Sequence, residues 1–422
     1  MAFTCDKAPN WTENNVLAIE EYRSKLARVR CGVHTEARAR RRTDEHRRTA
    51  LALHQPDSPG PEGTSTPLID ASVHIFFGSN KDLRQNFLRE PFASRGFPDY
   101  EMNWYGAPGG EYAKNTKGPD RQYPGSDPDV AAQHLFTERG VDIAILHPMT
   151  RGIMPDRHLG TALANAHNEM MVTRWLDHER YGERFRGTIR VNPDDIAGAL
   201  REIERFKDHP RVVQIGVPLQ SRELYGKPQY WPLWEAASDA GLPVAVHIEV
   251  GAGVQFAPTP SGKTRTYEQY LGFMALNYLY HLMNMIAEGV FERMPALKFV
   301  WADGAADLLT PFIWRMDCFG RPHLEQTPWA PKMPSDYLPG HVYFVQGALD
   351  GPGDVEFAGE WFGFTGKENM VMFGSSYPHW QLNEPEVPTA FTPEQRDKLL
   401  WRNAAELYGL QSALTSTAGA AR

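Results

Sequence analysis

Beyond residue 67 the chain alternates short apolar runs with longer amphipathic stretches, and this alternation predicts its architecture. Eight runs rich in β-branched and aromatic residues read as strands, at 68–77, 141–148, 185–192, 212–218, 243–250, 297–304, 342–348 and 371–376. Apolar positions at helical spacing predict helices over 159–176, 193–206, 231–240, 267–291, 305–316 and 393–408. Strands that are apolar almost throughout are covered on both faces, so strand and helix in alternation predict a parallel (β/α)8 TIM barrel. An open doubly wound sheet is the alternative. It would want a phosphate loop after its first strand, and IFFGSNKD follows instead, with no G-x-G-x-x-G.

Two stretches stand outside that pattern. Residues 1–66 read as an N-terminal extension, helical over Trp11 to Leu53, followed by the linker QPDSPGPEGTSTP. Arg28 to Arg48 holds eight arginines against three acids, and Glu36, Asp44 and Glu45 interrupt the basic run, which favours a solvated or partner-covering helix over a nucleic-acid arm. The connection over 78–140, rich in Gly, Pro and aromatics, reads as a lid over one barrel mouth. Residues 67–410 are assigned to the barrel and 411–422 to a flexible C-terminal tail.

Composition narrows the function. The 422 residues carry a net charge of −8, which gives no general basic surface for nucleic acid. Three scattered cysteines form neither a disulfide framework nor a thiolate zinc site, so a reducing cytoplasm is expected. No run of about 18 apolar residues suggests a membrane span.

A barrel places its chemistry at the C-terminal ends of its strands. Polar residues crowd those positions here: Ser72 and His74, His147, Arg190 and Asn192, Gln214, His247 and Glu249, Asp303, Gln346, then Ser376 and His379. Residues two apart share a strand face, so Ser72 pairs with His74 and His247 with Glu249, both expected to point inward. A buried imidazole beside a buried carboxylate is costly unless the two are paired or metal-bound.

The strings LIDASVHI, PGSDPDVAAQHLFTERGVDIAILHP, NEMMVTRWLD, YWPLWEAASDAGLPVAVHIEVG, IAEGVFERMPALKFVWADG and MFGSSYPHW, in this order, resemble the amidohydrolase superfamily. The likeness is to its amidohydrolase-related (amidohydrolase 2) family of metal-dependent hydrolases and decarboxylases. The resemblance implies a distorted (β/α)8 barrel around one or two divalent ions, and it carries His74 and His247 over as ligands. Two acidic positions depart from the family pattern. Ser72 stands where relatives have an acidic ligand, and Ser376 stands where they have the eighth-strand Asp that usually serves as general base. A neutral hydroxyl is a poor substitute for a carboxylate on a divalent cation.

Three explanations stay open. A metal, zinc or iron, is kept by His74, His247 and Asp303, with His147, His281, Ser72 and Ser376 as additional candidate ligands. Alternatively, Glu249, Asp303 and His379 run metal-free acid/base chemistry as a lyase or isomerase, or the barrel is a silent binding protein. Trp104, Tyr105, Tyr377 and Trp380, with Arg190, are the substrate-contact candidates and favour a small aromatic or polycyclic acid, amide or lactone. Metal-assisted hydrolysis or decarboxylation is the first expectation, and a non-heme iron monooxygenase of specialised metabolism is the runner-up. The only partner expected is a small molecule; a homodimer through outer helices stays open.

Overall fold

The computed structural model describes residues 53–54, 66–94, 112–119, 122–149, 154, 156–249, 266–320, 325–347, 349, 351, 355–379 and 382–414. The predicted N-terminal helices, Trp104, Tyr105 and Trp380 therefore lie outside the described residues.

The eight expected strands are present: β1 Ile69–Ile75, β2 Ile143–Pro148, β3 Phe185–Arg190, β4 Val212–Pro218, β5 Val244–His247, β6 Phe299–Ala302, β7 Val342–Val345 and β8 Val371–Met372. They pair in sequence order, all parallel, in one sheet. The sheet curls until its ends meet. The Ala71 N–H donates to Phe373 O at 2.9 Å and the His74 N–H to Tyr377 O at 2.7 Å, so the segment after β8 is stitched to β1. Asp70 reinforces this seam. Its Oδ1 accepts the N–H of Ser72 at 3.1 Å and that of Ser375 at 2.9 Å, while burial pushes its pKa upward.

The lumen is layered. Its floor is apolar, built from residues such as Ile69, Ile143, Ala245, Val300 and Met372, and it is capped by Leu407, Leu410 and Leu414 of the C-terminal helical segment. Above the floor the inward positions become polar. One-residue register shifts in β1, between Asp70 and Val73, and in the β3–β4 pairing, at Gly187/Thr188, help to set which side chains enter that layer.

Helices clothe the outside: α1 Pro128–Ala132, α2 Arg157–Met170, α3 Ile196–Phe206, α4 Trp231–Asp239, α5 Tyr267–Ala287, α6 Ala306–Gly320, α7 Val355–Gly363 and α8 Pro393–Asp397. Three of them run on through wider π turns, α1 to Glu138, α2 to Leu176 and α8 to Arg402. Capping sets several starts. Asp156 accepts from the N–H groups of His158 and Leu159, and Asp195 from that of Gly198, so α3 begins three residues later than Pro193. The long helix expected to Phe291 stops at Ala287, because Gly289 turns the chain at φ 71°. Helix α7 has no counterpart among the sequence expectations.

Two boundaries need correction. The 78–140 connection is not loop throughout, since Asp127 caps α1 and residues 128–138 are helical against the barrel. Residues 411–414, assigned to the tail, are helical, and Leu414 is buried in the floor. Among the described residues no helix is long and apolar enough to cross a membrane.

Candidate metal centre

His74 near the end of β1, His247 at the end of β5 and Asp303 just after β6 come together at the C-terminal mouth. His247 Nε2 lies 2.8 Å from Asp303 Oδ2 and 3.0 Å from His74 Nε2, and His74 Nε2 lies 3.4 Å from the same carboxylate oxygen. Among the described residues this is the one group of three metal-type donors that converges, with all its ligand atoms within 4.8 Å of one another.

His247 Nδ1 donates to the carbonyl of Ile248, which leaves Nε2 bare and facing Asp303 Oδ2 and His74 Nε2. A single proton can bridge only one pair of these three lone-pair atoms. A divalent cation satisfies all three, and imidazole with carboxylate is an ordinary donor set for zinc or iron. The residues present therefore fit one ion.

The two serines do not act as extra ligands in this arrangement. Ser72 Oγ donates to Asp303 Oδ1 at 2.9 Å and Ser376 Oγ donates to the same oxygen at 3.2 Å. They hold the far oxygen of the carboxylate and turn Oδ2 to the histidines. The backbone is strained at the same place. Asp303, Ala305 and Ser376 all have positive φ, at 70°, 73° and 58°, a conformation that non-glycine residues keep only where their surroundings enforce it. Burial works to raise the Asp303 pKa, but the facing imidazoles hold it well below the usual carboxylate range. Burial outweighs Asp303 at His247 and keeps that imidazole neutral near pH 7.

His147, on β2, is fully buried beside this group, its ring centroid 5.1 Å from that of His247. Burial, then the neighbouring His247 and His74, push its pKa well down. Its Nε2 meets Ala71 O at 3.1 Å and Gln214 Nε2 at 3.2 Å, and Gln214 Oε1 accepts from the Tyr408 hydroxyl at 2.8 Å. A polar chain thus joins the centre to the C-terminal segment. Tyr408 was not anticipated, because a Tyr on a terminal helix reads as packing.

Other sequence candidates are placed differently. Glu249 is buried and its carboxylate is paired with the guanidinium of Arg190, so the general-base role expected for it does not hold. His281 does not reach the centre. Its Nε2 donates to Leu219 O at 2.9 Å, its Nδ1 accepts the Tyr225 N–H at 3.2 Å, and its ring stacks on Tyr225. Tyr377 is fully buried with its hydroxyl 3.3 Å from His134 Nδ1, a residue of the turns after α1, and so packs in the wall rather than at the mouth. His379 sits at the rim, and its pKa is lowered by burial and then by His74.

A family model described as Amidohydrolase matches residues 69–410, and the chain belongs to this amidohydrolase family. Among curated proteins no sequence relative matches. Solved structures share the fold at low identity. The 5-carboxyvanillate decarboxylase from Sphingomonas paucimobilis is 21% identical, with a TM-score of 0.59 over 82% of this chain and 99% of its own. The 2,6-dihydroxybenzoate decarboxylase from Rhizobium is 17% identical, with a TM-score of 0.59 over 82% and 99%. A dihydroxybenzoic acid decarboxylase from Polaromonas sp. JS666, solved with bound manganese and the inhibitor 2-nitroresorcinol, is 19% identical, with a TM-score of 0.58 over 82% and 97%.

Proposed function

We propose that the protein is a divalent-metal-dependent lyase that decarboxylates a small aromatic acid, with metal-assisted hydrolysis as the neighbouring chemistry. The observation that carries this reading is the convergence of His74 Nε2, His247 Nε2 and Asp303 Oδ2 at the barrel mouth. Family membership and the aromatic-acid decarboxylases that share the fold support it. Decarboxylation is preferred because Ser376 replaces the Asp expected to activate water for hydrolysis.

His74, His247 and Asp303 would hold the ion. Bound there, it would supply Lewis-acid polarisation of a substrate oxygen and stabilise developing negative charge. The chain's own residues do the rest. Ser72 and Ser376 orient Asp303, and the apolar floor keeps bulk water from the underside of the site. His379, neutral near pH 7 because burial and His74 lower its pKa, can take a proton from solvent at its imidazole nitrogen and deliver it to the ring carbon as the bond to the carboxylate breaks and carbon dioxide leaves.

The same donors favour one second reading. Two histidines and one carboxylate are also the set that binds iron(II) in non-heme oxygenases, so an iron-dependent monooxygenase is the alternative. Elemental analysis of the tag-free full chain, beside His74→Ala/His247→Ala, tests both. Roughly one equivalent of divalent metal in the wild type and none in the variant is expected. Carbon dioxide release from 2,6-dihydroxybenzoate or 5-carboxyvanillate with zinc or manganese supports the lyase, whereas turnover only with iron and oxygen selects the second reading. No metal uptake by the wild type sinks both.

A further inference from the structure

Arg190 ends β3 and is 1% exposed. Its guanidinium lies over Gly216 of β4, where a Cβ would come within 2.6 Å of Nη1, so the group occupies luminal space that only glycine leaves open. Nη2 pairs with Glu249, but Nε and Nη1 have no hydrogen-bond partner among the described residues. Gln220, fully buried just beyond β4, accepts the Glu249 N–H at Oε1, 3.4 Å away, and its Nε2 is equally without a partner among those residues. Three buried donors thus flank one carboxylate that is already neutralised. Native interiors seldom leave buried donors unpaired, and a cluster of three points to an acceptor brought by a ligand.

We propose that Arg190 and Gln220 form a second recognition point in the lumen, which takes an uncharged oxygen acceptor of the substrate, such as a keto, ester or ether oxygen. Charge decides the class. Arg190 and Glu249 cancel, so this point offers hydrogen bonds without net charge and gains little from an anion in buried surroundings. The metal centre differs, because a dication there would exceed the single charge of Asp303 and draw the carboxylate of the substrate. The inference rests on the aromatic-acid reading above and adds to it a second polar substituent. Glu249 is then a positioning residue that holds the guanidinium.

Calorimetric titration of the zinc-loaded full chain with 3- and 4-acetylbenzoate, against 3- and 4-ethylbenzoate of the same shape, tests this. At one of the two ring positions the acetyl compound should bind about tenfold tighter or more. Gln220→Met and Arg190→Lys should each narrow that ratio to about twofold while benzoate itself still binds. Equal binding of acetyl and ethyl pairs by the wild type overturns the inference and leaves the aromatic-acid reading intact. Isophthalate binding tighter than either acetylbenzoate overturns the uncharged class. If benzoate affinity does not depend on metal, the aromatic-acid reading fails, and the acetyl-to-ethyl ratio still decides this one; if no probe binds, both fall.

Discussion

Two carboxylates stand at the same barrel mouth, Glu249 buried and Asp303 partly buried, and the protein treats them differently. Glu249 faces a guanidinium whose pKa burial lowers to about 10, still protonated near pH 7, so its charge is balanced inside the protein. Asp303 faces two imidazoles, at least one of them neutral, and two hydroxyls, which orient the charge without cancelling it. A partly buried anion with neutral partners favours a cation from elsewhere. The contrast teaches that a carboxylate's partners separate an acid balanced within the protein from one left open to a cation.

Breaking the balanced pair should have the largest effect. Arg190→Met strands Glu249 in the interior and should cost about 3–5 kcal/mol in denaturant unfolding, whereas Arg190→Met/Glu249→Leu should recover most of that loss. Metal content per folded molecule should stay unchanged in both. A double variant as unstable as the single one would mean that packing, not charge, dominates there. The open carboxylate is probed more gently by Ser72→Ala and Ser376→Ala. Each frees one bond to Oδ1 and should weaken zinc affinity roughly 10- to 100-fold in a competitive chelator titration, with unfolding little affected. Affinity within about twofold of wild type would show that Asp303 holds its orientation unaided.

Another buried charge sharpens the contrast with a smaller effect. Lys367 is 1% exposed, its Nζ lies 3.5 Å from the Trp361 ring centroid, and no hydrogen bond to it is found among the described residues. Burial lowers its pKa to about 8, against the opposing pull of Asp307. The unfolded chain, where the amine keeps its ordinary value near 10.5, then binds more protons above pH 8, so this group's contribution to stability improves as pH rises from 8 to 10.5. Lys367→Met should stabilise by about 1–2 kcal/mol below pH 8, and the advantage should fade toward pH 10.5. A gain independent of pH would assign the effect to apolar packing instead.

Much of this was legible in the sequence. The strands showed because parallel strands clothed on both faces leave long apolar runs, and His74, His247 and Asp303 showed because polar residues interrupt those runs at the ends where barrels hold their chemistry. What stayed hidden depends on side-chain direction. Nothing in VAVHIEV says that Glu249 meets Arg190, 59 positions earlier, rather than the substrate. Tyr377 sits beside site residues in sequence, yet its hydroxyl turns outward to His134. Ser72 and Ser376 read as lost ligands, and only the fold shows that both losses converge on the outer oxygen of one remaining acid. His281 looked like a spare donor until its two nitrogens were seen to be spent on Leu219 and Tyr225.

The seam at Asp70 has a further consequence for synthesis. Its partner Ser375 lies 305 residues downstream, and the leucines that seal the floor come later still. The barrel therefore cannot close before that stretch has emerged from the ribosome, and until then the edges of β1 and β7 stay open to wrong pairing. Contacts of such sequence separation make closure the slow step of folding. A truncation before residue 371 would remove β8 and its seam and produce a sheet with two unpaired rims, at β1 and β7, prone to aggregate, rather than a shorter working enzyme.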